Sequence, residues 1–174
     1  MSTDVQCPGD GTCSNQGTCD FSTGSCVCDS GFFGPTCDIT CTGSGNYQVV
    51  EDRCYYFNNG YGNYENQKQF CKTLFSGNGR LYEPPNLAAL TKVHNFGSEN
   101  FNRDYWYIGI RDPYQNGTLS YTSDELPIPF TIPEVSSHSP HNPDGCVLIY
   151  PQIEWRGWCC SCNNQMAICE IAQN

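Results

Sequence analysis

The chain has 174 residues, among them 14 cysteines, and its 18 acidic against 8 basic side chains give a formal net charge of −10. An acidic surface of this kind repels phosphate backbones and anionic membranes, so nucleic acid is not an expected partner. No apolar run reaches the ~20 residues that a membrane span requires, and the length suits one small module plus one domain of ordinary size.

The N-terminal segment is rich in cysteine and has little else for a core. Its apolar content is essentially Phe21, Val27, Phe32 and Phe33, too little to fold so short a segment without cross-links. Disulfides persist in oxidising compartments, so we expect a secreted or extracellular-surface protein. The opening MSTDVQ lacks the apolar stretch of a signal peptide, so we expect that a secretion signal has been removed or that the Met was added. The cysteines are Cys7, Cys13, Cys19, Cys26, Cys28 and Cys37.

The spacing of these cysteines, with glycines in the later loops, resembles an EGF-like module of the calcium-free kind, which we place at residues 1–38. Only Asp4 and Gln6 precede the first cysteine, so calcium is not expected there. Thr18 occupies the position that carries O-linked fucose in such modules, or is an ordinary loop threonine. The resemblance implies the pairs Cys7–Cys19, Cys13–Cys26 and Cys28–Cys37.

After Cys37 the sequence changes to short aromatic and β-branched runs that predict strands. One helix is predicted at about 63–74 and a second at about 87–95, the latter after the start signal Pro84-Pro85-Asn86. The stretch 112–144 has no periodicity, and we expect an ordered loop that bears the recognition site. The strand-like runs are 55–57, 106–110, 146–150 and 166–169.

The order of these runs resembles a C-type lectin-like domain, which we place at residues 41–174. The family's central Trp-Ile-Gly-Leu signature reads Tyr107-Ile-Gly-Ile110 here, and Cys146-Val-Leu-Ile149, Trp155 to Trp158 and Ile168-Cys-Glu170 follow in order. The resemblance implies an α+β fold with two helices, antiparallel sheets and a long loop region. The fold class is therefore a small disulfide-rich EGF-like knot plus an α+β C-type lectin-like domain.

The resemblance also implies disulfides Cys71–Cys169 and Cys41–Cys54, the second marking the long form of the domain. Cys146 then pairs within the cluster Cys159, Cys160 and Cys162. Cys146–Cys160 with Cys159–Cys162 avoids a strained bond between adjacent residues; Cys146–Cys162 with a vicinal bond is the rival.

The resemblance predicts a ligand site in the long loop. Sugar-binding members hold calcium through acidic or amide residues on each side of a proline, and through an Asn-Asp pair after a tryptophan. This chain lacks most of those oxygens, so the usual calcium-dependent sugar site is absent or rebuilt and no cofactor is required. The candidate ligand-binding residues are Ser139, Pro140, His141, Asn142, Asp144, Trp155 and Trp158.

Calcium remains possible at a relocated site, for which Glu134, Asn142 and Asp144 are candidates; the alternative is that they cap loop turns. Other acidic candidates are Asp112, Asp124 and Glu125. A zinc site combining the cysteine cluster with His138 and His141 is a further alternative, which an oxidised chain disfavours.

Exposed aromatics offer binding without metal, by stacking on sugar rings or by anchoring a protein. Asn116-Gly117-Thr118 is an N-glycosylation sequon. The candidate aromatics are Tyr55, Tyr61, Tyr64, Tyr105, Tyr114 and Tyr121.

Two functions remain, and neither is enzymatic, because three histidines and structurally committed cysteines leave no evident nucleophile. The first is an extracellular recognition or adhesion protein that binds glycan or glycoprotein. The second is a structural or protein-binding module of an extracellular matrix or surface assembly that has lost sugar binding, with self-assembly as one outcome.

Overall fold

The computed structural model describes residues 7–8, 11–43, 45–103, 105–133 and 145–172. They form an N-terminal module, residues 7–37, and a C-terminal domain that begins at Cys41. The helices are α1 (Tyr64–Thr73) and α2 (Leu87–Phe101). The strands are β1 (Gly17–Asp20), β2 (Ser25–Cys28), β3 (Phe32–Phe33), β4 (Ile39–Thr40), β5 (Tyr47–Val50), β6 (Arg53–Gly62), β7 (Gly79–Leu81), β8 (Trp106–Tyr107), β9 (Ile110–Arg111), β10 (Ser120–Tyr121), β11 (Cys146–Tyr150), β12 (Glu154–Trp158) and β13 (Gln165–Ile171).

The N-terminal module is an antiparallel hairpin, β1 with β2, held by three disulfides. The interior is made of sulfur, with Cys13 and Cys37 fully buried. The sequence suggested that Phe21 and Val27 contribute to the core of this module. They do not, because they are 67% and 63% exposed. The bridges supply the cohesion that apolar side chains do not. The pairs are Cys7–Cys19, Cys13–Cys26 and Cys28–Cys37.

The C-terminal domain is built on one sheet in the order β10-β9-β11-β8-β13-β6-β5, to which β12 adds beside β11 and β7 beside β13. The pairings are antiparallel except that between β8 and β13. β13 is buried along its whole length, so it forms the centre of the domain. The predicted run 106–110 is interrupted between β8 and β9, where Gly109 N donates to Tyr82 O at 2.7 Å instead of to a neighbouring strand.

Both helices begin at asparagine caps. The Asn63 side chain accepts a hydrogen bond from Asn66 N at 2.8 Å, and the Asn86 side chain accepts one from Ala89 N at 2.9 Å. Each bond satisfies a backbone donor of the first turn that has no partner within the helix.

The second helix is longer than the sequence predicted, because it ends at Phe101 and not near residue 95. The extra turns pack against the core: Phe101 stacks on Phe57, with ring centroids 4.9 Å apart, and Phe96 lies on the same ring. Gly97 allows this approach, since a Cβ there would meet the Phe57 ring at 2.9 Å. The free energy gained by burying these aromatic rings outweighs the modest helix propensity of the last residues of α2.

Disulfides connect the sheet to its surroundings. Cys71–Cys169 joins α1 to β13, and Cys41–Cys54 closes the hairpin at the start of the domain. β4 pairs with β3 of the N-terminal module, and Ile39 is buried in the core beside Leu81. The N-terminal module is thus packed on the C-terminal domain through a strand pair and an apolar anchor. Among the described residues, neither helix is long and apolar enough to span a membrane.

Candidate ligand-binding site

The predicted ligand loop lies mostly outside the described residues. This concerns Ser139, Pro140, His141, Asn142 and Asp144, together with Glu134 and His138. The described chain does place both ends of that loop. Trp155 N donates to Pro133 O at 2.9 Å, and Asp112 N donates to Gly145 O at 2.9 Å. The loop therefore starts beside β12 and returns beside the end of β9.

The two candidate tryptophans have different environments. Trp155 is 4% exposed and belongs to the main core, and its contact with ligand stays a prediction. Trp158 is half-buried, with the Arg156 guanidinium 5.9 Å from its ring centroid. Its buried Nε1 has no hydrogen-bond partner within the described part of the chain. Trp158 is the candidate that keeps an accessible aromatic surface here.

The cysteine cluster next to Trp158 is bridged as Cys146–Cys160 and Cys159–Cys162, the arrangement without a vicinal bond. Tyr107 Oη donates to Cys159 O at 2.9 Å, which ties this turn to β8. The zinc alternative required thiolates, whereas each of these sulfurs lies in a bridge.

The acidic residues considered for calcium serve the backbone of their own loops. Asp112 is buried, and its two oxygens accept from Asn116 N at 3.1 Å and Gly117 N at 3.0 Å. Asp124 accepts from Leu126 N at 2.9 Å. Such turns are a common use of aspartate, so these two are first of all loop caps. Glu125 is exposed.

A network of buried carboxylates, which the sequence did not reveal, forms hydrogen bonds to the loop at Thr122 and Ser123. Glu83 accepts hydrogen bonds from Ser123 N at 2.8 Å, Ser123 Oγ at 2.7 Å and Thr122 Oγ1 at 3.1 Å. Arg80 lies between two acids, with Nη1 2.8 Å from Glu83 and Nε 2.9 Å from Glu170. Glu83 N also donates to Glu170 at 3.0 Å. The loop, β7 and β13 are thereby joined by charge-assisted bonds.

Burial is the largest influence on the pKa of the Glu170 carboxyl. Removal from water raises the pKa of this carboxyl to about 7, although Arg80 and the bond from Glu83 N act to lower it. Burial likewise raises the pKa of the Tyr107 hydroxyl to about 12.

The aromatic candidates separate into core and surface. Tyr55 and Tyr64 were predicted to be exposed, but they are 2% and 3% exposed and pack in the core. Tyr121 is half-buried and donates from its hydroxyl to Pro84 O at 2.6 Å. Tyr61 and Tyr105 are exposed. Tyr114 is exposed as well, in the loop after β9.

Tyr61, Arg103, Tyr105 and Tyr150 lie at or beside strand ends on the same end of the sheet, and we call these four residues the aromatic ridge. The Tyr105 and Tyr150 ring centroids are 4.7 Å apart, and Arg103 Cζ lies 5.8 Å from the Tyr61 ring centroid. The strand register sets their positions. Gly62, next to Tyr61, pairs with the first residue of β13, and Trp106, next to Tyr105, pairs with the second residue of β13 and with Ile149, next to Tyr150. Two exposed asparagines are close to members of the aromatic ridge in the sequence: Asn59 precedes Tyr61 by two residues, and Asn102 directly precedes Arg103.

Both modification candidates are exposed. Asn116 is exposed in a turn, and its side-chain oxygen accepts from Thr118 N at 2.9 Å. Thr18 is exposed in β1, opposite Val27. Modification at both stays a prediction.

Comparison with known proteins identifies the two parts. The family model described as EGF-like domain matches residues 7–37. Residues 7–37 form an EGF-like domain. A stretch of 43 residues is 51% identical to the Angiopoietin-1 receptor of Danio rerio, covering 24% of this chain and 4% of that receptor. The chain thus spans only a small fraction of that relative.

The C-terminal domain has the C-type lectin-like fold. Human lithostathine is similar with a TM-score of 0.60 at 20% identity, covering 75% of this chain and 100% of that one. The mouse scavenger receptor C-type lectin carbohydrate-recognition domain gives 0.59 at 20%, covering 76% and 98%. The Ca2+-independent C-type lectin SPL-2 from Saxidomus purpuratus gives 0.56 at 21%, covering 73% and 91%. At these identities the likeness concerns the fold.

Proposed function

We propose that this protein is an extracellular recognition protein that binds a glycan or glycoprotein without the usual calcium-dependent sugar site. The seven disulfides require an oxidising compartment, since reducing cytosol would open them. An EGF-like domain combined with a lectin-like fold is an arrangement suited to contact with other molecules. Fold alone does not carry the proposal, because functions are grafted onto folds as sites.

The aromatic ridge is the observation that carries it. Tyr61 is 60% exposed and Tyr105 is 43% exposed, so both keep aromatic surface that a ligand can contact. A tyrosine face packs on the C–H face of a pyranose, while its hydroxyl and neighbouring amides bond to sugar hydroxyls. This chemistry needs no metal.

The long loop supports the same conclusion from its composition. Ser139, Pro140 and His141 stand where sugar-binding relatives place oxygen ligands around a proline. A neutral imidazole is a poor ligand for a hard cation such as Ca²⁺. Among the fold neighbours, the lectin SPL-2 from Saxidomus purpuratus is itself named as Ca2+-independent.

A glycan array read first with calcium and then with EDTA tests the proposal. Wild-type protein should give the same sugar signals in both conditions. The Tyr61→Ala/Tyr105→Ala variant should lose about thirtyfold in affinity for the sugars bound, since each of the two rings, when well stacked, contributes of the order of 1 kcal/mol. Tyr114→Ala, another exposed tyrosine, is the matched control and should bind like wild type.

Signals that disappear with EDTA would overturn the calcium-free site. Silence in both conditions would instead favour a protein-binding or structural module. Equal binding by wild type and the double variant would retain glycan binding but remove the aromatic ridge as its site.

A further inference from the structure

A cleft of about 1030 Å³ lies between the N-terminal module and the C-terminal domain. We call it the interdomain cleft. One wall carries Asp29, Phe32 and Phe33, and the opposite wall carries Val49 and Asp52. Its volume is at the upper end of the range for small-ligand sites, and such sites occur preferentially between domains.

The two walls are held in place by the connection between them. Phe33 in β3 pairs with Ile39 in β4, and Ile39 is buried in the core of the C-terminal domain. Gly34 lies directly against Ile39, where a Cβ would meet the isoleucine Cδ1 at 2.7 Å. The cleft is therefore a feature of the packed structure and not a gap along a loose linker.

The lining of the cleft also includes Glu170, which is buried, and Arg53, which is half-buried and whose positive charge favours the ionised form of the Glu170 carboxyl. Glu170 Oε1 accepts from Arg80 Nε and Glu83 N.

The rim adds negative charge from both sides. Asp29 and Asp52 are exposed, one on each wall, and neither is in an ion pair within the described ranges. Arg53 is offset by Glu170, so the two aspartates leave the lining net negative. Beside them, Val49 is exposed and Phe32 is half-buried, which gives the cleft an apolar strip next to its acids.

We propose that the interdomain cleft binds an extended segment of a partner protein through a lysine or arginine side chain. A basic side chain matches both properties of the lining, because its aliphatic stem packs on apolar walls while its cationic head meets carboxylates. The backbone of an extended segment fits a cleft open at its rim. This inference is independent of glycan binding, since the cleft and the aromatic ridge have no residue in common.

Fluorescence anisotropy with a short fluorescein-labelled peptide of serine, valine and lysine tests this on the full chain. Asp29→Asn/Asp52→Asn should weaken binding roughly fivefold, because two rim charges of ordinary strength are lost. Neither aspartate side chain has a described hydrogen bond that the amide would break. Glu65→Gln/Glu99→Gln, which removes two exposed acids on α1 and α2, changes net charge equally and should bind like wild type.

The glutamate-for-lysine counterpart of the peptide should not bind. Equal weakening in both double variants would show attraction to the acidic protein in general, and would overturn the site. No binding by the lysine peptide, or preference for the glutamate peptide, would overturn the proposed ligand. In a ¹⁵N spectrum of the full chain, the lysine peptide should shift amides near Asp29 and Asp52; shifts confined elsewhere would also contradict it.

Discussion

Gly109 lies directly against Glu83, so closely that a side chain at position 109 would overlap the Cγ of the glutamate. The Leu81 carbonyl oxygen borders the same space at 2.9 Å. Gly109 N donates to Tyr82 O, which holds the two segments at this distance. The glycine of the Tyr107-Ile-Gly-Ile110 signature therefore makes room for the carboxylate that bonds the loop at Ser123.

Gly109→Ala should lower the free energy of unfolding by about 1–3 kcal/mol, the usual cost of adding a methyl group to a tightly packed site. Urea unfolding followed by tryptophan fluorescence measures it. Gly45→Ala is the control, since no atom lies within 4 Å of a Cβ there. Equal midpoints for the two variants would mean that Glu83 can move aside.

The disulfides should differ greatly in their contribution to stability. Cys71–Cys169 spans 98 residues and Cys159–Cys162 spans 3. In the chain-entropy model the first contributes about 4.7 kcal/mol and the second roughly 2 kcal/mol. We therefore expect Cys71→Ala/Cys169→Ala to be unfolded or barely folded at 37 °C, and Cys159→Ala/Cys162→Ala to remain folded. Circular dichroism melts compare them; a reversed order would contradict the model.

Calcium should have little or no effect on the melting temperature. A ligand that binds only the folded state raises it in proportion to the logarithm of its concentration over Kd. Melts in millimolar calcium and in EDTA should coincide, because Asp112 and Asp124 already bond to backbone amides. A rise of several degrees with calcium would show that the loop retains a metal site.

Local chemistry made much of this fold predictable. The strand at Cys146–Tyr150 has the predicted bounds, since its residues are apolar throughout and it is buried on both faces. Pro84-Pro85-Asn86 marked the start of α2 because the asparagine cap acts within one turn. The end of α2 was not predictable in this way, as it depends on packing against Phe57, which lies far away in the sequence.

The candidate site was predicted less well. Exposure of a tyrosine depends on the face of the strand that it occupies and on what covers that face, which is why Tyr55 was misassigned and Tyr61 was not. The bond between Glu83 and Glu170 joins positions 87 residues apart. No local sequence pattern predicts such a pair. A buried acid cannot be distinguished from a surface acid in the sequence, because its burial depends on partners that are distant along the chain.

Glu170 should make the protein less stable as the pH rises through the range 4.5 to 7. Its pKa is about 7 in the folded state, against 4.5 for the free side chain, so the folded state binds more protons in this interval. The free energy of unfolding then falls with pH, by at most about 3 kcal/mol for one group shifted this far.

Urea unfolding at a series of pH values tests this against Glu170→Gln, which keeps an acceptor for Arg80 Nε and Glu83 N but cannot ionise. The advantage of the variant should grow from pH 4.5 and level off above pH 7. The Asp20 pKa is lowered by its bonds to Ser22 and Thr23, and the stability it adds is lost only below the chosen range. Glu99→Gln, on the exposed side of α2, should follow wild type. Parallel curves for wild type and Glu170→Gln would mean that Arg80 compensates fully for the burial of the carboxylate.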